Sequence, residues 1–210
     1  MDVTQMHHAI NIGIQMIDSH RNDDLLPDEI DYYLNKATTD FIKQQYSIIK
    51  SKPSTLESEN ALENIQTIID IFDGTNLPSG ELPNSYFLEF PPDYNYHINS
   101  YVEYSQGSFK VTRVVSYSEL NTILNTDSNI PFFRLTPVMI KNNGMLILND
   151  DDDSISSVKV FYIKQPEKIS HPDSDSGTEQ NSVLPEHTHE TLIELALQSI
   201  FQHLNIALQE

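Results

Sequence analysis

Eight histidines, no cysteine and a large surplus of acids set the chemistry this chain can attempt. Without a thiol there is no disulfide, thiolate nucleophile, iron–sulfur cluster or cysteine-ligated zinc. The densest group of metal-ligating types is His187-Thr188-His189-Glu190, with His171 upstream and His7-His8 near the start. Histidines two apart project from different faces of a helix, whereas a zinc shared on one helix needs a spacing of four, as in His-Glu-x-x-His. The group therefore reads as the polar first turn of a helix, with His187 and His189 as the candidate ligands if a metal binds. Asp150 to Asp153 forms a run of four acids. A calcium loop needs a glycine at its sharp turn and a bidentate Glu near its end, and residues 149–158 supply neither. Asp150 and Asp152 are candidate oxygens for a divalent ion, but the run reads as a solvated turn whose charge discourages pairing of a strand edge. There is no Gly-x-Ser-x-Gly elbow and no glycine-rich phosphate loop. Nothing marks one pair among the 31 acids as a general acid and base. The chemistry of the residues thus predicts a protein without a cofactor and without a reaction of its own.

Charge and composition narrow the class further. Thirty-one acids against 12 bases give a formal charge of −19, which repels a nucleic-acid backbone instead of gripping it. Tyrosines at 94, 96, 101 and 104 suggest a stacking platform, yet no basic residue lies between Glu81 and Tyr104, so aromatic strand packing is the better reading. The apolar runs are too short to span a bilayer, and residues 1–15 have neither the basic start nor the apolar stretch of a signal peptide. A soluble protein that its own sequence does not export is expected.

The elements that must position these residues begin as helices. Val3, Met6, His7, Ile10, Ile14 and Ile17 recur at three- and four-residue steps, predicting a helix that ends near residues 18–20. Pro27 with Asp28, Glu29 and Asp31 opens a second helix to about Lys50, and a third is predicted from Leu56 to Phe72 with Gly74 as its terminator. From Gly80 the apolar residues become aromatic or β-branched and fall in short runs: Tyr86 to Leu88, Ile98 to Tyr104, Phe109 to Val115 and Val158 to Ile163. A brief helix is predicted at residues 118–124, and Asn143-Gly144 between two apolar runs predicts a hairpin. Short, closely spaced strands predict a mostly antiparallel sheet. Residues 165–183 are polar and read as a mobile arm. A last helix from about residue 184 carries Leu192, Leu197, Phe201, Leu204 and Leu208 on a wide apolar face, which predicts burial on more than one side and makes these residues interface candidates. The fold class is α+β: residues 1–79 and 184–210 form a helical bundle around a β-rich insertion at 80–164.

Three stretches carry a resemblance. Asp28-Glu29-Ile30-Asp31-Tyr32-Tyr33-Leu34-Asn35-Lys36-Ala37 with Phe41-Ile42, Val160-Phe161-Tyr162-Ile163-Lys164-Gln165-Pro166, and Leu184-Pro185-Glu186-His187 resemble virion structural proteins of crAss-like bacteriophages. A Leu-Pro-Glu start to a C-terminal helix packed on an N-terminal bundle is similar to head–tail connector, or adaptor, proteins of tailed phages. The resemblance implies a ring, of twelve copies, docked beneath the portal protein at the capsid vertex and touching other tail ring or hub proteins. It implies DNA passing through the centre without specific binding, and a virion location reached by assembly in the host cytoplasm. It supplies no catalytic residue.

Two readings from other classes stand beside it. One is a metal-dependent hydrolase built on His187, His189 and the Asp150 to Asp153 loop. The other is an acidic interaction protein, such as a DNA mimic, for which the −19 charge is the argument.

Overall fold

The computed structural model describes residues 1–17, 25–75, 77–82, 84–116, 118–119, 135–141, 143–149 and 154–207, the last four by backbone alone. The chain is α+β and divides into two compact units, 1–68 with 166–210 and 69–165.

The first unit holds the helices. Helix α1 (Val3–Ile17) buries Val3, Met6, His7 and Ile10, the start of the stripe its periodicity predicts. Helix α2 (Pro27–Ser51) begins with the proline that needs no donor, while the Glu29 carboxylate accepts from Leu26 N–H at 2.9 Å. Helix α3 (Leu56–Asn64) is capped by Thr55, whose hydroxyl accepts from Ser58 N–H. Helix α4 (His189–Ala207) follows a 3₁₀ turn at Glu186–Thr188 and packs on α1 and α2. Where α1 meets α4, a Cβ added at Gly13 would lie 2.7 Å from Leu197 Cδ1, so the glycine permits the close approach.

The third helix is shorter than its sequence predicts. After Asn64 comes a 3₁₀ turn at Gln66–Ile68, and Ile69–Gly74 is strand β1. Ile69, Ile71 and Phe72 are β-branched or aromatic, and they pair with another strand of that kind across the sheet, which overrides the helical spacing. Gly74 therefore ends a strand, not a helix.

The second unit is one mixed seven-stranded sheet, so strand structure begins at residue 69, ahead of the expected insertion at 80. It adds β2 (Ser85–Glu89), β3 (Tyr94–Tyr104), β4 (Phe109–Val114), β5 (Leu135–Lys141), β6 (Gly144–Leu148) and β7 (Ile155–Lys164), in the order β1-β7-β3-β4-β5-β6-β2. Every pairing is antiparallel except β4 with β5, which is parallel. The residues between Val114 and Leu135 give the length that a parallel connection requires. The expected hairpin is present as β5–β6, with Lys141 opposite Gly144. The inner face forms a core that includes Leu88, Phe90, Val102, Met145, Val158, Val160 and Tyr162. Tyr104 lies in that core, and the Tyr94 ring stacks on Phe90 at 3.8 Å and on Tyr162 at 5.7 Å, as strand packing of the tyrosines predicts. Of the brief helix predicted at 118–124, residues 118–119 are helical and the rest lies outside the described residues.

Candidate functional site

The residues able to do chemistry gather first around Asp31, one turn into α2. His7 on the buried face of α1 donates Nε2–H to Asp31 Oδ1 at 2.8 Å, and His171 N–H donates to Asp31 Oδ2 at 2.9 Å. Both carboxylate oxygens are acceptors, so the neutral His7 ring carries its proton on Nε2. The His171 ring stacks on His7 with centroids 4.4 Å apart. His7 is 5% exposed, and burial holds its pKa below the usual histidine value against the opposing pull of the Asp31 carboxylate. The neighbouring His171 adds to the lowering.

This group fastens the segment that the sequence reads as a mobile arm. Asn35, one turn further along α2, accepts from Ile169 N–H and donates to Ile169 C=O, both at 2.8 Å, as a neighbouring strand would. Asp175 N–H donates to Asp28 Oδ1 at 2.9 Å, and Val3 N–H donates to Asn181 Oδ1 at 2.7 Å. Ser170 and Gln180 exchange two backbone hydrogen bonds, which closes the segment into a loop with Ile169 buried beneath it. Polar groups of α1 and α2 thus contact this segment, whose own buried apolar residue is Ile169. A histidine oriented by a buried carboxylate is also half of a nucleophile–histidine–carboxylate arrangement. Among the described residues no hydroxyl bonds to the His7 ring, so the group acts here as a clasp.

A second buried polar chain runs through the sheet core. His97 Nε2 lies 3.0 Å from Ser100 Oγ, which lies 2.5 Å from Thr112 Oγ1. A histidine beside a serine suggests nucleophilic chemistry, but Ser100 is fully enclosed and His97 and Thr112 are buried, so no substrate reaches the hydroxyl. The bulge between His97 and Asn99 turns His97 and Ser100 to the same side of β3. A regular strand places residues three apart on opposite faces, so sequence spacing alone does not pair His97 with Ser100.

The candidate metal ligands do not converge. His187 Nε2 lies 3.0 Å from Asn64 Oδ1 at the surface, whereas His189 Nε2 donates to Leu184 C=O at 3.0 Å inside the protein, leaving its buried Nδ1 without a partner. Among the described residues no three His, Asp or Glu side chains gather as a metal site. Asp150 and Asp152, with the rest of their acidic run, lie outside the described residues.

The interface candidates on α4 divide. Leu192 is fully buried inside its own chain, along with Ala196 and Ile200, so it is corrected from interface to core. Leu197 packs against Gly13 of the same chain and is half-buried, as is Phe201. The Leu204 side chain and Leu208 lie outside the description. The apolar face of α4 is wide because α1 and α2 both cover it.

No protein-family model matches the chain, and no curated protein matches it either.

What the strands expose is a row of apolar side chains on the outer face of the sheet. Ile71 on β1 pairs with Phe161 on β7, the Phe161 ring meets Tyr101 on β3 edge-on at 5.8 Å, and Tyr101 pairs with Val111 on β4. Phe109 stands two residues before Val111 on the same face. Ile71 is 55% exposed, Phe109 59% and Val111 38%. These side chains line up across four strands on a single face, beside Lys159, which pairs with Tyr101, and Glu103, which pairs with Phe109.

Proposed function

We propose that this chain is a structural subunit that assembles with copies of itself into a ring, of the head–tail connector kind found at the portal vertex of tailed phages, and that it carries out no reaction of its own. The observation that carries the reading is the row on the outer sheet face in which Ile71, Val111 and Phe109 are exposed and Phe161 and Tyr101 half-buried. Closed rings need a heterologous contact, one patch meeting a different patch of the next copy, and a broad apolar sheet face supplies one half of it. The −19 charge supports a conduit role, because a negatively lined channel lets a polyanion slide without gripping it. In this reading α1 to α4 act as a helical bundle, twelve copies close the ring, and the neighbours are the portal protein and the next tail ring or hub. Its location is the virion, after assembly in the host cytoplasm.

Phe109→Ser with Val111→Glu tests the reading. Both side chains lie on the outer face and outside the inner core, so the double variant keeps its thermal midpoint while losing higher-order species in sedimentation velocity. Unchanged assembly in the variant would remove this face from the contact.

A further inference from the structure

The chain leaving β1 runs along β2, the other edge of the seven-stranded sheet, and the seam is closed at one end by residues 78–80, beyond β1, and open at the other along β1 itself. At the closed end Gly80 N–H donates to Ser85 C=O at 2.7 Å and Phe87 N–H donates to Pro78 C=O at 2.9 Å, with a bridge between Ser79 and Tyr86. Continued in that register, the chain from Phe72 to Leu77 would pair with residues 88–93. It does not: among the described residues no backbone hydrogen bond joins Phe72–Thr75 to Leu88–Pro92. Pro91 and Pro92 have no N–H to offer, and Phe90 N–H is already given to Asn143 C=O at 2.9 Å. The parted strands leave a cavity of about 720 Å³.

The lining of that cavity is layered by the pleat. Phe72, Leu88, Phe90 and Tyr94 belong to the inner core or pack against it, so they form an apolar, aromatic floor. Asp73 and Glu89, the alternate residues, are exposed at the rim, and neither forms a salt bridge with any described residue. An unpaired strand edge, an apolar floor and an acidic rim make three demands on an occupant. It must offer extended backbone, apolar side chains on one face and cations on the other. We propose that this cleft receives an extended segment of a partner protein in which apolar residues alternate with arginine or lysine, added along the open stretch of β1 as an extra strand. Main-chain bonds supply affinity in such strand addition, and side-chain pockets supply selectivity. Arginine suits the rim better than lysine, since its planar fork pairs with a carboxylate while its stem lies over aromatic rings. Asp73 shares the outer face of β1 with Ile71, two residues before it, but the floor of the cleft lies on the inner face, and the proposal stands whether or not copies of the chain form a ring.

The test uses the full chain and a labelled peptide, acetyl-Arg-Leu-Arg-Leu-Arg-amide, with acetyl-Glu-Leu-Glu-Leu-Glu-amide as its counterpart. The basic peptide is expected to bind and to shift the amide signals of residues 72–75 and 88–90, and the acidic one is expected not to bind. Asp73→Lys with Glu89→Lys should weaken binding by about tenfold or more. Glu190→Lys with Glu194→Lys, an equal charge change on exposed positions of α4, should leave binding unchanged. Equal loss in both double variants would show attraction to net charge alone and overturn the proposal. So would equal binding of the two peptides, binding that ignores the Asp73 and Glu89 changes, or no binding at all.

Discussion

Asp31 is the residue on which the first unit's polar wiring converges. Replacing it with Ala leaves His7 Nε2–H and His171 N–H buried without acceptors, and each such orphan costs about 1–3 kcal/mol, so Asp31→Ala should lower the unfolding free energy by about 3 kcal/mol in urea titration. His7 sets a pH dependence whose sign follows from its lowered pKa. The unfolded chain takes up a proton near pH 6.5 while the folded protein resists it, so this contribution is complete above pH 6.5 and is lost as pH falls below that value. Urea midpoints at pH 7.5 and 5.5 check it: the decrease should be smaller in His7→Gln than in the unaltered chain. His7 and His171 stand out in the sequence as possible ligands, and Asp31 as a charge near a helix start. Their union was not legible, because it joins residues 24 and 140 positions from Asp31, and no periodicity reports a contact of that range.

At the scale of elements, amphipathic spacing located the helices and strands but did not show where one gave way to the other. Helix α2 begins where Pro27 and the acids after it predict, since those signals are local, while α1 follows from its apolar stripe alone. Residues 65–74 were misread because Ile65, Ile68, Ile69 and Phe72 satisfy a helical stripe, while pairing of Ile69 to Gly74 with β7 decides their fate from ninety residues away. The contacts of the polar segment 165–183 are illegible in composition for a different reason. Its order comes from side chains donated by helices, and composition counts only what a segment brings itself. Asn35→Ala removes both hydrogen bonds to Ile169, so amides from Ile169 to Gln180 should exchange with deuterium faster by tenfold or more, while those of α2 beyond its first turns keep their protection. Unchanged exchange in the loop would mean that Asp31 and Ile169 burial hold it unaided.

For the whole molecule, two features pull in opposite directions. In the proposed assembly a charge of −19 opposes association of copies, and an apolar row across four strands favours it. The balance depends on ionic strength, because salt screens the first and leaves the second intact. The acidic balance is plain from the sequence; the apolar row is not, since the α4 stripe offers a stronger apolar signal, although its Leu192 is core. Sedimentation velocity of the unaltered chain from 50 mM to 500 mM salt is the most direct measurement. A single closed multiple of the 24.0 kDa chain, increasingly populated as salt rises, is the predicted result. A lone 24.0 kDa species at every salt and protein concentration would contradict assembly through the sheet face.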